Sequence, residues 1–169
     1  MTALRHHTID GPFSMKRGVV SAPTFAYECW GELNANRDNA VLVFTGLSPS
    51  AHVASSPEDP TTGWWEDMLG PDKPIDTSRY FVVCVNSLGS CFGSTGPASI
   101  DPVTGCHYRL RFPVLHVEDI ARGVAEIRHR HVPEQPEPGR DRIERPALRG
   151  GIGRGGARRA CLRGRRGRL

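Results

Sequence analysis

Asn39-Ala40-Val41-Leu42-Val43-Phe44-Thr45-Gly46-Leu47 holds five apolar residues in unbroken succession, stopped by Thr45-Gly46. So short and so apolar a run suits a β-strand covered on both faces, as in a parallel sheet. Tyr80-Phe81-Val82-Val83-Cys84-Val85 repeats the pattern. Upstream, Phe25, Tyr27 and Cys29 alternate with Ala26 and Glu28, the period of a half-buried strand. Downstream, Val117, Ile120, Ala121 and Val124 follow the spacing of an amphipathic helix, with Glu118 and Asp119 in its first turn. His116 is a poor cap, so that helix start is weakly specified. Strands separated by long loops and followed by a helix predict an α/β sheet.

Two long loops join these elements. Residues 46–63 are rich in Ser, Pro and Thr, and Thr62 is placed to cap a short helix over Trp64-Trp65-Glu66-Asp67-Met68 before Gly70-Pro71 stops it. Residues 86–113 form the second loop. Within it Gly89-Ser90-Cys91-Phe92-Gly93 mimics a nucleophile elbow, but an elbow opens directly into a helix and Ser94-Thr95-Gly96-Pro97 cannot. The glycines instead let the loop pack close to the sheet. His107 and His116 make no metal-ligand spacing with the acidic residues, so no metal is expected. The pairs Glu66-Asp67 and Glu118-Asp119 read as first-turn helix residues, not as acid/base pairs.

The charge is divided. Residues 1–127 hold 9 Lys and Arg against 14 Asp and Glu, a net −5, whereas residues 128–169 hold 13 Arg against 4 acids, a net +9. Every aromatic residue lies in the first part, so the overall +4 describes the tail and not the domain. We therefore divide the chain into a domain portion, 1–127, and a basic low-complexity tail, 128–169, expected to be disordered for want of apolar residues. Arg and Gly in alternation offer a rival function, polyanion or RNA binding through the tail, but the tail lacks aromatics for base stacking, so no specific nucleic acid is expected. No apolar run reaches 18 residues and the first 15 lack a hydrophobic signal segment. With five cysteines and no Cys-x-x-Cys pair, a reduced, cytoplasmic chain is expected, without membrane partners.

Four segments together resemble one family: Asn39 to Leu47; Gly63-Trp64-Trp65-Glu66-Asp67-Met68-Leu69-Gly70-Pro71 through Asp76; Tyr80 through Asn86-Ser87-Leu88-Gly89-Ser90-Cys91-Phe92-Gly93-Ser94-Thr95-Gly96-Pro97; and Phe112-Pro113 through Val117-Glu118-Asp119. Over roughly residues 8–127 the chain resembles the homoserine/serine O-acyltransferases of the α/β-hydrolase fold. The resemblance implies acyl transfer from an acyl-CoA to the side-chain hydroxyl of L-serine or L-homoserine, in cysteine or methionine biosynthesis. It implies a ping-pong route through an acylated Ser, a Ser-Asp-His triad, acyl-CoA as co-substrate with no cofactor, and homodimers.

It also implies roles for particular residues. Leu47 corresponds to the backbone oxyanion-hole donor. The loop Ser48, Pro49, Ser50, Ala51, His52, Val53, Ala54, Ser55 would face the bound amino acid and help set substrate choice. Many homoserine acetyltransferases read Ser/Thr-Gly-Asp where this chain has Ser48-Pro49-Ser50, a departure that resembles the serine branch. Succinyl transfer to serine is therefore favoured, with acetyl transfer possible. No Gly-x-Ser-x-Gly occurs anywhere, so the nucleophile, Asp and His of the triad lack counterparts. The expectation is the N-terminal part of such an enzyme, inactive alone, followed by an ending that has the Arg/Gly/Pro/Ala bias of a shifted reading frame.

Overall fold

The computed structural model describes residues 3–46 and 48–131. The tail's expected disorder falls on residues that, beyond His131, lie outside the described part.

A four-stranded sheet organises this part. It contains β1 (Arg5–Thr8), β4 (Thr24–Trp30), β8 (Phe81–Val85) and β5 (Ala40–Phe44), in the order β1-β4-β8-β5. β1 pairs antiparallel with β4, and β4 with β8, while β5 and β8 run parallel with Ala40 opposite Phe81 and Phe44 opposite Val85. Parallel neighbours need a long crossover, and residues 45–80 supply it. Among its described residues that crossover contains only the two-residue strands β6 (Leu69–Gly70) and β7 (Ile75–Asp76). A hairpin of β2 (Pro12–Met15) and β3 (Gly18–Ser21) and a small ladder of β9 (Ile100–Asp101) and β10 (Cys106–His107) stand apart from the sheet. Helix α1 spans Val117–His131, continuing past residue 127, where the composition changes.

Alternation along the strands divides the core in two. Phe25 and Tyr27 of β4 with Phe81, Val83 and Val85 of β8 face the β2–β3 hairpin (Phe13, Met15, Val20) and α1 (Val124, Ile127). Trp30, Val43, Val82 and Cys84 face the opposite way, onto Ala51, Val53, Ala54 and Leu69 of the crossover. All of β8 is buried, as its unbroken apolar run predicts.

Two strands depart from expectation. β4 is not half-buried, because on its second face Glu28 meets His52 of the crossover and Ala26 is covered by Gly93 and Ser94 of the loop after β8. β5 is not buried on both faces. Among the described residues it is one edge of the sheet, and Phe44 is 56% exposed. The expected helix over 64–68 is also absent, and the segment forms turns. Its amides are engaged elsewhere: the Trp64 and Trp65 N–H groups donate to the carbonyls of His52 and Val53, and the Glu66 carboxylate accepts from the Gly63 and Ser55 N–H groups. Glu66 thus does with its side chain what Thr62 was expected to do.

α1 forms where its periodicity predicts, but its buried stripe is rotated. Val124 and Ile127 are buried, Ile120 is partly covered, and Val117 and Ala121 are exposed. Gly123 lies under this stripe, and a Cβ there would stand 2.4 Å from the Phe25 ring, so only glycine allows the helix this close to β4. The helix start is better specified than His116 suggests. The Asp119 carboxylate reaches back to the His116 N–H at 3.2 Å and holds the Lys16 N–H of the β2–β3 turn at 3.1 Å.

Candidate functional site

In open sheets with parallel strands, ligands bind beyond the carboxyl ends of those strands. β5 and β8 are the parallel pair, and a cavity of about 700 Å³ opens where both end. One wall is Phe44, Thr45, Gly46 and Pro49, leaving β5; another is Ser87 to Ser90, leaving β8; the third is Leu115, Val117, Ile120 and Ala121, at the start of α1. The Thr45 and Ser87 hydroxyls, 3.5 Å apart, link the two strand ends. The lining is mostly apolar with a few hydroxyls, the composition of a small-molecule site.

Leu47, the expected oxyanion-hole donor, lies outside the described residues. Its neighbours Gly46 and Pro49 line the cavity. The loop that follows divides by role. Pro49 is in the wall and Ser48 is exposed. The Ser50 Oγ accepts from the His52 N–H, and the Ser50 carbonyl accepts from the Trp64 indole at 2.8 Å. Ala51, Val53 and Ala54 are buried against β4, β5 and β8. Both the N–H and the hydroxyl of Ser55 donate to the Glu66 carboxylate. With Gly63 and Lys73 also donating, Glu66 is held far below the usual carboxylate range, at about 2.

His52 turns away from the cavity. Its Nδ1 lies 2.9 Å from the buried carboxylate of Glu28, and its Nε2 lies 2.9 Å from the Thr61 carbonyl. Burial pulls its pKa down, but the bonds to Glu28 and Thr61 and the charges of Glu28 and Asp59 outweigh this, and the net shift is upward. Glu28 was not singled out from the sequence, because a polar residue in an alternating strand looks the same whether it meets water or a buried partner.

The elbow-like segment is a loop, as expected. Cys91 is exposed, and Ser94 and Thr95 stitch the segment to β4. The buried Ser94 hydroxyl accepts from the Ala26 N–H at 3.0 Å and donates to the Asn86 carbonyl at 2.7 Å. Thr24 and Thr95 exchange two bonds, Thr24 N–H to the Thr95 hydroxyl and Thr95 N–H to the Thr24 carbonyl. A Cβ on Gly89 would come within 2.4 Å of Leu115, so this loop also seats the segment leading into α1. Among the described residues no helix is long and apolar enough to cross a membrane.

No protein-family model matches the chain. Individual proteins do. It is 59% identical over 127 residues to a serine O-succinyltransferase of Xanthomonas campestris pv. campestris (strain B100), a match covering 75% of this chain and 33% of the relative. It is 63% identical over 125 residues to a serine O-succinyltransferase of Litchfieldella anticariensis, covering 72% of this chain and 34% of that one. The chain thus spans about a third of the length of the curated relatives it matches. Among solved structures, homoserine O-acetyltransferase from Bacillus anthracis superposes with a TM-score of 0.66 at 31% identity, over 77% of this chain and 37% of that one. Esterase E22 gives a TM-score of 0.68 at 30% identity, over 77% and 38%. By sequence and by architecture, the described part of this chain is a relative of the homoserine/serine O-acyltransferases, built on part of an α/β-hydrolase fold.

Proposed function

We propose that this chain supplies the acceptor-side wall of an acyltransferase that moves a succinyl group from succinyl-CoA to the hydroxyl of L-serine. The observation carrying the proposal is the cavity at the carboxyl ends of β5 and β8, rimmed by Thr45, Gly46 and Pro49, in a chain so similar to serine O-succinyltransferases. A Ser nucleophile attacks the thioester carbonyl and CoA leaves as the thiol. The serine hydroxyl then attacks the acyl-enzyme, loses its proton to the His base, and departs as the O-acyl ester. In both steps negative charge develops on the carbonyl oxygen, and the role the resemblance gives to the Leu47 N–H is to meet it. Ser48 to Ser50 would contact the amino acid, while Ala51 to Ser55 hold that contact in place. The sequence contains no Gly-x-Ser-x-Gly, so the nucleophile must come from a stretch this chain does not encode.

The test is release of free CoA from succinyl-CoA in the presence of serine. The 169-residue chain alone should release none above background. Residues 1–127 joined to the portion of the Xanthomonas relative that they do not match should turn over. A rate near ~10 per second from the chain alone would overturn the need for a further segment. No turnover by the joined protein, while the intact relative works, would overturn the functional assignment.

A further inference from the structure

The ring of His52 meets only hydrogen-bond acceptors. Nδ1 faces the Glu28 carboxylate. Nε2 faces the Thr61 carbonyl at 2.9 Å and the Thr61 hydroxyl at 3.1 Å. That hydroxyl has a single proton, and it is directed at the Asp59 carboxylate, 2.7 Å away. It therefore presents a lone pair to the ring. A neutral imidazole has one N–H and one bare nitrogen, and would set a lone pair against a lone pair at one side. The arrangement is fully satisfied when the ring carries both protons. Glu28 is itself only 4% exposed, on the covered face of β4, where a carboxylate needs a paired cation.

We infer that Glu28 and His52 are positioning residues: a carboxylate–imidazolium pair that pins the 48–55 loop to β4 and so fixes where Ser48, Pro49 and Ser50 stand at the cavity rim. The backbone around His52 transmits the constraint. Its N–H is held by the Ser50 hydroxyl, its carbonyl receives the Trp64 N–H, and buried Ala51 and Val53 flank it. The short link from the end of β5 to this fixed point leaves Ser48-Pro49-Ser50 little freedom. The assignment of these residues to the acceptor rests on the function proposed above; the pinning itself does not.

The charges facing the ring are Glu28 from β4 and Asp59 from the loop, both of which favour the proton. Behind Glu28 lie the thiols of Cys29 and Cys84, pushed up by burial to about 11 and about 12 and so neutral over the range of interest; Arg5 stands near Cys29. Because the ring's pKa is raised on folding, the pinning is complete below the ordinary value of 6.5 and is lost as pH rises through the folded value.

Two measurements on the 169-residue chain test this. In ¹⁵N-histidine NMR, His52 should be more than half doubly protonated at pH 6.5, where an ordinary imidazole is half protonated, and should lose its proton only above 6.5. In parallel, amide exchange protection of residues 51–55 should fall as that proton is lost, by about tenfold for each unit the pKa lies above its ordinary value. Protection across β8 should not follow. Glu28→Gln should move the ring's proton loss to lower pH and unprotect the loop at all pH values; should this variant fold poorly, the wild-type titration decides alone. A His52 ring that loses its proton at or below pH 6.5, or that shows a bare Nδ1 facing a protonated Glu28, would overturn the inference. So would loop protection that ignores the His52 titration. Neither readout involves acyl transfer, so an inactive joined protein would count against the proposed function and leave this result standing.

Discussion

Ser94→Ala removes one oxygen from a buried junction, and its cost can be worked from the structure. The Ser94 hydroxyl is the partner of the Ala26 N–H and of the Asn86 carbonyl, and Ala26 and Asn86 are at most 1% exposed. Without it the Ala26 N–H becomes a buried donor with no acceptor, which costs about 1–3 kcal/mol. The Asn86 carbonyl loses a neutral bond worth about 1 kcal/mol. The alanine removes no carbon from the core, so no cavity contribution is added. The total is about 2–4 kcal/mol, which corresponds to roughly 30- to 1000-fold in an opening equilibrium. The assay is native-state hydrogen exchange at the Ala26 amide, which reports that opening directly. Ser90→Ala is the control, since that hydroxyl meets only the exposed Phe92 N–H at 3.5 Å; it should change stability by less than about 0.5 kcal/mol. If Ser94→Ala accelerates Ala26 exchange less than about threefold, equivalent to under ~0.7 kcal/mol, the hydroxyl is not the staple described here.

Three further outcomes follow from the same geometry. Gly123→Val should destabilise the packing of α1 on β4 by about 1–3 kcal/mol despite the better helix propensity of valine, because the new Cβ meets the buried Phe25 ring; an unchanged or raised urea midpoint would contradict the close approach. The Glu66 clamp, with its carboxyl lowered from 4.5 to about 2, should be fully present above pH 4.5 and be lost as pH falls through about 2; exchange at the Ser55 and Gly63 amides should follow that window, and loss already near pH 4.5 would refute it. In the joined acyltransferase, replacing Pro49-Ser50 with Gly-Asp should shift the kcat/KM ratio for serine over homoserine toward homoserine by about tenfold or more, since one methylene in a pocket is worth about 1–3 kcal/mol; an unchanged ratio would place specificity elsewhere.

Several features were legible in the sequence for local reasons. The apolar runs at 40–44 and 80–85 and the helical spacing from Val117 depend on residues adjacent along the chain, and the strands and helix formed there. The elbow-like segment was excluded by its own Gly and Pro residues, again a local argument. The family resemblance came from motifs whose purpose was not readable in them. Ser94 and Thr95 belong to the most distinctive run in the chain, yet what they do, stitching a loop to β4, depends on a strand about 70 residues earlier.

What only the tertiary structure decided is which surfaces meet. Alternation in β4 placed Phe25, Tyr27 and Cys29 together on one face, but whether the other face met water depended on the crossover and the loop after β8 folding over it. Glu28 therefore read as a solvent-facing residue and is a buried partner of His52. Glu66 and Asp119 read as first-turn helix acids. Asp119 is one, with the added task of holding the β2–β3 turn, whereas Glu66 clamps a helix-free turn, because amides from Ser55 and Gly63 converge on it. The 48–55 loop read as one substrate-facing stretch and is divided between a cavity rim and a buried anchor. Periodicity reports how a segment sorts its own side chains; hydrogen-bond partners and covered faces are set by contacts between residues distant in sequence, and no single segment encodes them.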